Sequence, residues 1–182
     1  SPDDIRFATR HVVEKQGGKF IRDKVTRIDP VGRTVFTESD QTLTYDVLSF
    51  NAGSYVPTTI VAAEDQDLFP VKPIERLLEA KQRFVEMVSQ KTVEVGIVGG
   101  GPSAAEISGN LLQLARENRG RTPSITIFSG RRLMARFPEP ARMRVERDLK
   151  RRGVRIIAND YVEAIKAKDI HMRSGQTHTA DF

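Results

Sequence analysis

The sequence reads Val93-Glu94-Val95-Gly96-Ile97-Val98-Gly99-Gly100-Gly101-Pro102-Ser103-Ala104-Ala105-Glu106 near its centre. An apolar, β-branched run ends in three glycines, and an Ala/Leu-rich helical pattern begins directly after them. This order predicts a strand, a tight turn and a helix. Glycines let backbone N–H groups approach a phosphate, and a helix N-terminus favours negative charge. The spacing Gly99-x-Gly101-x-x-Ala104 is the dinucleotide fingerprint in its Ala-ending form, so this turn predicts a nucleotide site.

The residues around the fingerprint complete a βαβ unit. The run before Gly99 is apolar, as in a buried parallel strand. The helix carries a broad face of small and apolar residues, which suits packing on a sheet. A second apolar strand is predicted over residues 125–128, at the distance that a βαβ unit needs. The fold class is therefore α/β, with a Rossmann-like NAD(P)-binding βαβ domain.

Composition excludes several classes of site. The chain has 182 residues, a formal net charge of +5 and no cysteine, so disulfides and thiolate nucleophiles are excluded. The three histidines lie far apart and lack metal-ligand spacing, so we expect no metal site. The chain begins with polar residues, and no apolar run is long enough to span a bilayer. We expect a cytoplasmic protein whose membrane contact is at most peripheral.

Basic residues are dense between residues 142 and 155. Acidic residues are interleaved with them, and an apolar stripe follows helical spacing at Ala141, Val145 and Leu149. No aromatic platform accompanies the charges. The pattern therefore favours an amphipathic helix with a solvated face over a nucleic-acid surface, and we expect no nucleic-acid partner.

The chain also contains a weak internal repeat. Residues 1–21 resemble residues 137–157, residues 25–28 resemble 162–165, and residues 41–46 resemble 176–181, at a nearly constant offset. Each copy predicts a helix stopped by glycine, a strand and antiparallel strands, with a β-meander over residues 161–166, 169–173 and 177–182. The first copy continues into an apolar strand at residues 47–50, whereas the second stops where that strand would begin. We therefore expect an internal piece of a larger protein with two dinucleotide-binding units; generic helix–strand–hairpin similarity is the alternative.

Three segments carry a resemblance to a known family. Leu43-Thr-Tyr-Asp-Val-Leu-Ser-Phe-Asn-Ala-Gly-Ser54 resembles a strand and turn that end beside a flavin. Residues 99–106 resemble the family's NAD(P) fingerprint, and Arg132-Leu-Met-Ala-Arg-Phe-Pro138, followed by a helix and Arg152-Gly-Val-Arg-Ile-Ile157, resembles a third conserved stretch. The family is the pyridine nucleotide–disulfide oxidoreductase superfamily. Without cysteines, the chain is more similar to its type II NADH dehydrogenase-like branch than to the disulfide reductases.

The resemblance implies an FAD domain interrupted by an NAD(P)H domain. Hydride would pass from the nicotinamide to FAD and on to an acceptor, for which a quinone is one candidate. Residues 1–71 would be a partial FAD-domain segment and residues 72–182 the NAD(P)-binding domain. Both terminal FAD-binding segments of the family are missing, so we expect this piece to bind the nucleotide but not to hold FAD without them. The alternative is a non-catalytic nucleotide- or partner-binding module. Unpaired sheet edges would favour a homodimer.

The resemblance also implies roles for individual residues. A glutamate at the position of Glu106 faces the nicotinamide and flavin, and Lys72 is a candidate partner for it. The plainer interpretations are a carboxylate on the second turn that stabilises the N-terminal region of the helix, and a solvated linker lysine. The fingerprint turn would bind the pyrophosphate through Gly99, Gly100, Gly101, Pro102, Ser103 and Ala104. The turn beside the flavin would be Asn51, Ala52 and Gly53.

The end of the second predicted strand decides between the two nicotinamide cofactors. An acidic residue there would bind the ribose 2′-hydroxyl of NAD, and basic residues would accept a 2′-phosphate. The sequence has Ser129, Gly130, Arg131 and Arg132 at this place and no acid. Guanidinium groups suit phosphate, and the serine adds a hydroxyl. The residues favour NADP(H) over NAD(H), with a solvated arginine pair as the alternative.

Overall fold

The computed structural model describes residues 8–57, 59–61, 67–72 and 74–182. The chain divides into two compact units, Ser1–Ala52 and Gly53–Phe182. The boundary predicted after residue 71 separates two functions and stays a prediction. Within the described residues, no helix is both long enough and apolar enough to cross a membrane.

Over its described residues, 8–52, the first unit contains one helix and one antiparallel sheet. Helix α1 (Thr9–Lys15) precedes strands β1 (Val25–Asp29), β2 (Thr34–Thr37) and β3 (Thr42–Thr44), which pair in the order β1-β2-β3. The carboxylate of Asp29 accepts the backbone N–H groups of Val31 and Gly32, each at 3.0 Å, and so closes the turn between β1 and β2.

Two predictions in this unit are wrong: the strand that the repeat places after the first helix, where Ile21 aligns with Ile157, and the strand at residues 47–50. Neither Ile21 nor residues 47–50 belong to a strand, and Val47 and Phe50 are 89% and 63% exposed. A strand persists only where neighbours take up its backbone hydrogen bonds and cover its apolar side chains. The described sheet of this unit is an antiparallel meander and offers residues 47–50 no parallel neighbour.

The second unit confirms the predicted βαβ architecture. Its first part consists of helices and parallel strands in alternation: α2 (Glu75–Gln90), β4 (Glu94–Val98), α3 (Pro102–Glu117), β5 (Ser124–Ser129), α4 (Glu139–Arg151) and β6 (Arg155–Ala158). The strands pair in parallel in the order β4-β5-β6. Such crossovers place the helices against the sheet. The carboxyl ends of the three parallel strands lie at the same edge of the sheet.

The main core lies between this sheet and the helices. Ile125 and Ile127 of β5 are almost fully buried and pack in one cluster with Phe84 and Val88 of α2. In the sequence, the apolar residues between Pro73 and Val88 recur at helical spacing, which predicts a helix with one apolar face along its whole length. The structure corrects this expectation, because Ile74 at its start is 62% exposed. The burial of α2 begins at Ala80, whereas Pro73, the predicted first helical residue, lies outside the described residues.

An antiparallel meander covers the opposite face of the sheet. It consists of β7 (Val162–Lys166), β8 (Asp169–Met172) and β9 (Thr177–Thr179), as predicted, although β9 is shorter. Ile170 and Met172 pack on Phe128 of β5. Gly96 permits this approach, because an added Cβ would lie 2.7 Å from Ile170 Cδ1 and 3.1 Å from Ala180 Cβ.

The two meanders share an irregularity that supports the predicted repeat. In the first, the pairing register shifts between Val25 and Arg27. In the second, it shifts between Val162 and Ala164, which are the corresponding positions. A β-bulge disrupts the ladder of hydrogen bonds between two strands and is a specific feature of a fold. A bulge at corresponding positions is therefore stronger evidence for the repeat than the presence of strands in both copies. The repeat's first residues, 1–7, lie outside the described part of the chain.

Helix α4 differs from its predicted pattern at one position. Ala141 is exposed, and the neighbouring Arg142 is buried in its place. The guanidinium donates to both carboxylate oxygens of Glu139, at 3.0 and 2.6 Å, and to Glu146 at 2.6 Å. Hydrogen bonding to Arg142 holds the pKa of the Glu139 carboxyl below its usual value. An ion pair therefore occupies the place that the periodicity assigned to an apolar side chain.

Candidate nucleotide-binding site

The three-glycine turn lies at the carboxyl end of β4, where α3 begins. Gly99 has φ +130°, a conformation that L side chains rarely adopt, and its backbone N–H donates to the Phe128 carbonyl at 2.9 Å. Gly101 is the N-cap of α3, and no side chain caps the helix there. No atom lies within 4 Å of an added Cβ at Gly99 or Gly101. The turn therefore offers open space next to the electropositive end of a helix.

Gly100 is glycine for a different reason. An added Cβ would overlap the Oγ atom of Ser129 and lie 2.9 Å from its Cβ atom. Ser129 is 1% exposed, so its side chain packs beneath the turn. The sequence predicted this hydroxyl as a phosphate donor on the loop; the structure gives it a packing role, and the phosphate contact stays a prediction.

The loop between β5 and α4 is attached to the same turn. The backbone N–H of Met134 donates to the Gly100 carbonyl at 2.6 Å. Met134 is buried and has φ +52°, a sparsely populated conformation for a residue with a side chain. Strained backbone of this kind persists where the surrounding structure determines it, often at functional sites. The bond fixes the loop that carries Arg131 and Arg132 relative to the glycine turn.

The arginine pair is exposed on this loop. Arg132 lies 3.7 Å from Glu139 Oε2, and both side chains are more than half exposed, so the ion pair is weak and screened by solvent. The same carboxylate is held more closely by Arg142. Glu139 is therefore an acidic neighbour of Arg132, and it lies seven residues further along the chain.

The other three residues of the predicted turn, Pro102, Ser103 and Ala104, differ in how far their side chains are buried. Pro102 occupies the first turn of α3, where its missing N–H costs nothing. Ala104 is 5% exposed and permits close packing, whereas Ser103 is exposed at the helix start. The structure thus places all six predicted turn residues at the junction of β4 and α3.

The predicted catalytic pair is not joined in the structure. Glu106 is exposed on α3, and the Lys72 ammonium donates to Ser54 Oγ at 2.5 Å. Among the described residues, no ion pair links Glu106 to Lys72. The residues expected beside the flavin, Asn51, Ala52 and Gly53, are exposed and lie outside regular secondary structure. Their roles stay predictions.

Residues 2–182 match the family model described as pyridine nucleotide-disulphide oxidoreductase. The chain belongs to this family of oxidoreductases.

Several solved structures share the fold of this chain at low sequence identity. The ferredoxin reductase of the CYP199A2 system from Rhodopseudomonas palustris gives a TM-score of 0.74 at 18% identity, covering 100% of this chain and 44% of that one. The water-forming NADH oxidase from Lactobacillus brevis, bound to NADH, gives 0.68 at 19% identity, covering 100% and 40%. An engineered NADPH oxidase derived from it, bound to NADPH, gives 0.66 at 18% identity with the same coverages. The chain spans less than half the length of these proteins.

The residues present fit a pyridine nucleotide. The open glycine turn suits a pyrophosphate, and the exposed arginine loop suits an additional phosphate. Among the described residues, no group of three or more histidine, aspartate or glutamate side chains could hold a metal ion. The site thus supplies cationic and backbone N–H groups for an anionic ligand.

Proposed function

We propose that the chain is the NADP(H)-binding part of a flavoprotein oxidoreductase. The whole protein would pass hydride from NADPH to FAD and on to an acceptor, for which a quinone is one candidate. The nicotinamide and the flavin supply the redox chemistry when bound. The chain's own residues hold the nucleotide and orient it.

One observation carries the proposal: the hydrogen bond from the Met134 N–H to the Gly100 carbonyl joins two phosphate-binding elements. The first is the glycine turn with the uncapped start of α3, which favours a pyrophosphate. The second is the loop with Arg131 and Arg132, at the carboxyl end of β5, where a dinucleotide's adenosine ribose lies. A ligand with phosphates at both places fits this spacing of elements.

The choice of NADP(H) rests on the residues at the end of β5. Residues 129–132 hold no acid that could accept a 2′-hydroxyl but hold two arginines that suit a 2′-phosphate, and the nearby Glu139 carboxylate is already held by Arg142. The engineered oxidase offers a parallel. Relative to the NADH oxidase from which it was derived, this NADPH-bound variant has lost an aspartate and gained two arginines.

Glu106 is the proposed polar group near the nicotinamide. It lies on α3 one turn beyond the glycine turn, and its carboxylate is exposed. In the intact protein we propose Lys72 as its partner, since the lysine's present contact is a single hydroxyl on the exposed Ser54. FAD itself would need segments of the protein beyond this chain.

Calorimetric titration with NADPH and NADH tests the proposal. The variant Arg131→Ala/Arg132→Ala should weaken NADPH binding by about ten-fold or more, because charge-assisted hydrogen bonds to phosphate are lost. NADH binding should change by less than about three-fold. The matched control, Arg144→Ala/Arg147→Ala on the exposed side of α4, removes the same charge elsewhere and should leave the ratio of the two affinities unchanged.

Two results would contradict the proposal. Equal losses for NADPH and NADH would remove the role of the arginine pair in cofactor choice. No binding of either nucleotide to the 182-residue chain would contradict the proposal and favour a non-catalytic partner-binding module instead.

A further inference from the structure

An aromatic side chain that the proposed function does not use lies beside the arginine pair. Gly130 follows β5, and Tyr161 lies three residues beyond the end of β6. An added Cβ at Gly130 would overlap the Cδ1 and Cε1 atoms of Tyr161 and would lie 2.7 Å from its Cζ atom. Gly130 directly precedes Arg131, so the tyrosine ring contacts the backbone from which the arginine pair extends.

Residues at the end of β8 hold Tyr161 in this position. The backbone N–H of Arg173 donates to the Tyr161 carbonyl at 2.8 Å, and the Arg173 guanidinium carbon lies 4.8 Å from the ring centroid. The preceding residue, Asp160, accepts the backbone N–H of Ser174 at 3.2 Å and its hydroxyl at 2.6 Å. These hydrogen bonds and the cation–π contact fix the loop after β6, so the ring is in place before a ligand binds.

The ring is fixed but not covered. Tyr161 remains 42% exposed although these contacts hold it, so part of its surface is open to a ligand. It lies at the carboxyl ends of β5 and β6, the edge of an open α/β sheet where ligands bind. With the pyrophosphate at the β4 turn and the adenosine ribose at the end of β5, the attached base continues toward β6.

The geometry points to the exposed surface of the Tyr161–Arg173 pair as the platform on which the adenine of a bound NADP(H) packs. This assignment rests on the proposed function, because it names the base subsite of the same nucleotide. Aromatic rings and guanidinium planes both stack on bases. The platform also explains why residue 130 is a glycine, because any side chain there would displace the Tyr161 ring.

Substitution of the ring tests the platform. Tyr161→Leu keeps apolar packing on Gly130 but removes the π surface, and it should weaken NADPH binding by about ten-fold. Tyr161→Phe should stay within about two-fold of the wild-type affinity. Gly130→Ala moves the ring without changing it and should also weaken binding. Tyr55→Leu, which removes an 80% exposed tyrosine of the same unit, is the matched control and should have no effect.

The second readout needs no substitution. The chain has three tyrosines and no tryptophan, so a ¹³C-tyrosine-labelled sample gives few aromatic resonances. Adenosine 2′,5′-bisphosphate carries the adenine, the 2′-phosphate and the adjoining 5′-phosphate of NADP(H) but lacks the nicotinamide nucleotide half. Its addition should shift the Tyr161 ring resonances upfield, with the same saturation as the calorimetric curve, and should leave those of Tyr45 and Tyr55 in place.

The outcomes separate the platform from the proposed function. If NADPH binds but neither the Tyr161 resonances nor the affinity of Tyr161→Leu changes, the platform is wrong and the proposed function stands. If neither NADPH nor the bisphosphate binds, the proposed function fails and the platform fails with it. A shift at Tyr161 together with weaker binding by both Tyr161→Leu and Gly130→Ala supports the platform.

Discussion

Gly100→Ala is the substitution whose effect the structure defines most sharply. The added methyl would overlap Ser129 Oγ and lie 2.9 Å from Ser129 Cβ, whereas optimal carbon contacts lie at about 3.5–4.0 Å. Ser129 is 1% exposed and belongs to a strand paired on both sides, so it has little room to move. Overpacking of this kind costs about 1–3 kcal/mol. We expect a loss of stability in the upper part of that range.

The same distances predict which second substitution restores stability. Ser129→Ala removes the hydroxyl but keeps the Cβ at 2.9 Å, so it should relieve only part of the strain. Ser129→Gly leaves the Ser129 Cα, 3.7 Å away, as the nearest remaining atom of that residue, which is an ordinary contact. A double-mutant cycle in urea should therefore give a coupling energy of about 1–3 kcal/mol with glycine and a smaller one with alanine. Equal costs of Gly100→Ala in all three backgrounds would refute the contact.

Two further predictions concern the packing of the second unit and its dependence on pH. Phe84→Ala should lower the free energy of unfolding in urea by about 3–5 kcal/mol, because the ring is fully buried. Ile74→Ala, at a 62% exposed position of the same segment, should lower it by less than about 0.5 kcal/mol. Similar losses in the two variants would contradict the observed burial of α2. Hydrogen bonds from Lys91 and then Lys168 hold the pKa of Asp181 well below its usual 3.8, so its contribution to stability is complete above that pH and is lost as the pH falls toward the lower value. The urea midpoint should therefore fall between pH 5 and pH 2 less steeply in Asp181→Asn than in the wild type, and the exposed Asp40→Asn should match the wild type.

The central architecture was predictable because its signals are local. Glycine spacing, a β-branched run and a small-residue helical face occur within one continuous stretch, and β4, α3 and β5 form as the pattern indicates. The meanders were predictable for the same reason, since each consists of neighbouring strands joined by short turns. Their shared bulge had no distinct sequence signal and needed the structure.

The errors arise where a residue's state depends on partners that are distant or polar. The apolar residues 47–50 satisfy strand periodicity, but a strand also requires a neighbour, which periodicity cannot supply. Arg142 occupies a buried position of α4 because Glu139 and Glu146, at i−3 and i+4, neutralise it. That spacing was visible in the sequence, whereas apolar periodicity alone assigned the position to Ala141.

Three glycines of the candidate site look alike in the sequence but are required for different physical reasons. Gly99 is needed for its backbone conformation, so no change in a neighbouring side chain should make alanine tolerable there. Gly100 and Gly130 are needed for space, against Ser129 and Tyr161, which lie 29 and 31 residues further along the chain. Alanine at either position should therefore be tolerated once the opposing side chain is reduced. Such a pattern of rescue separates backbone strain from steric contact, a distinction that the fingerprint itself cannot make.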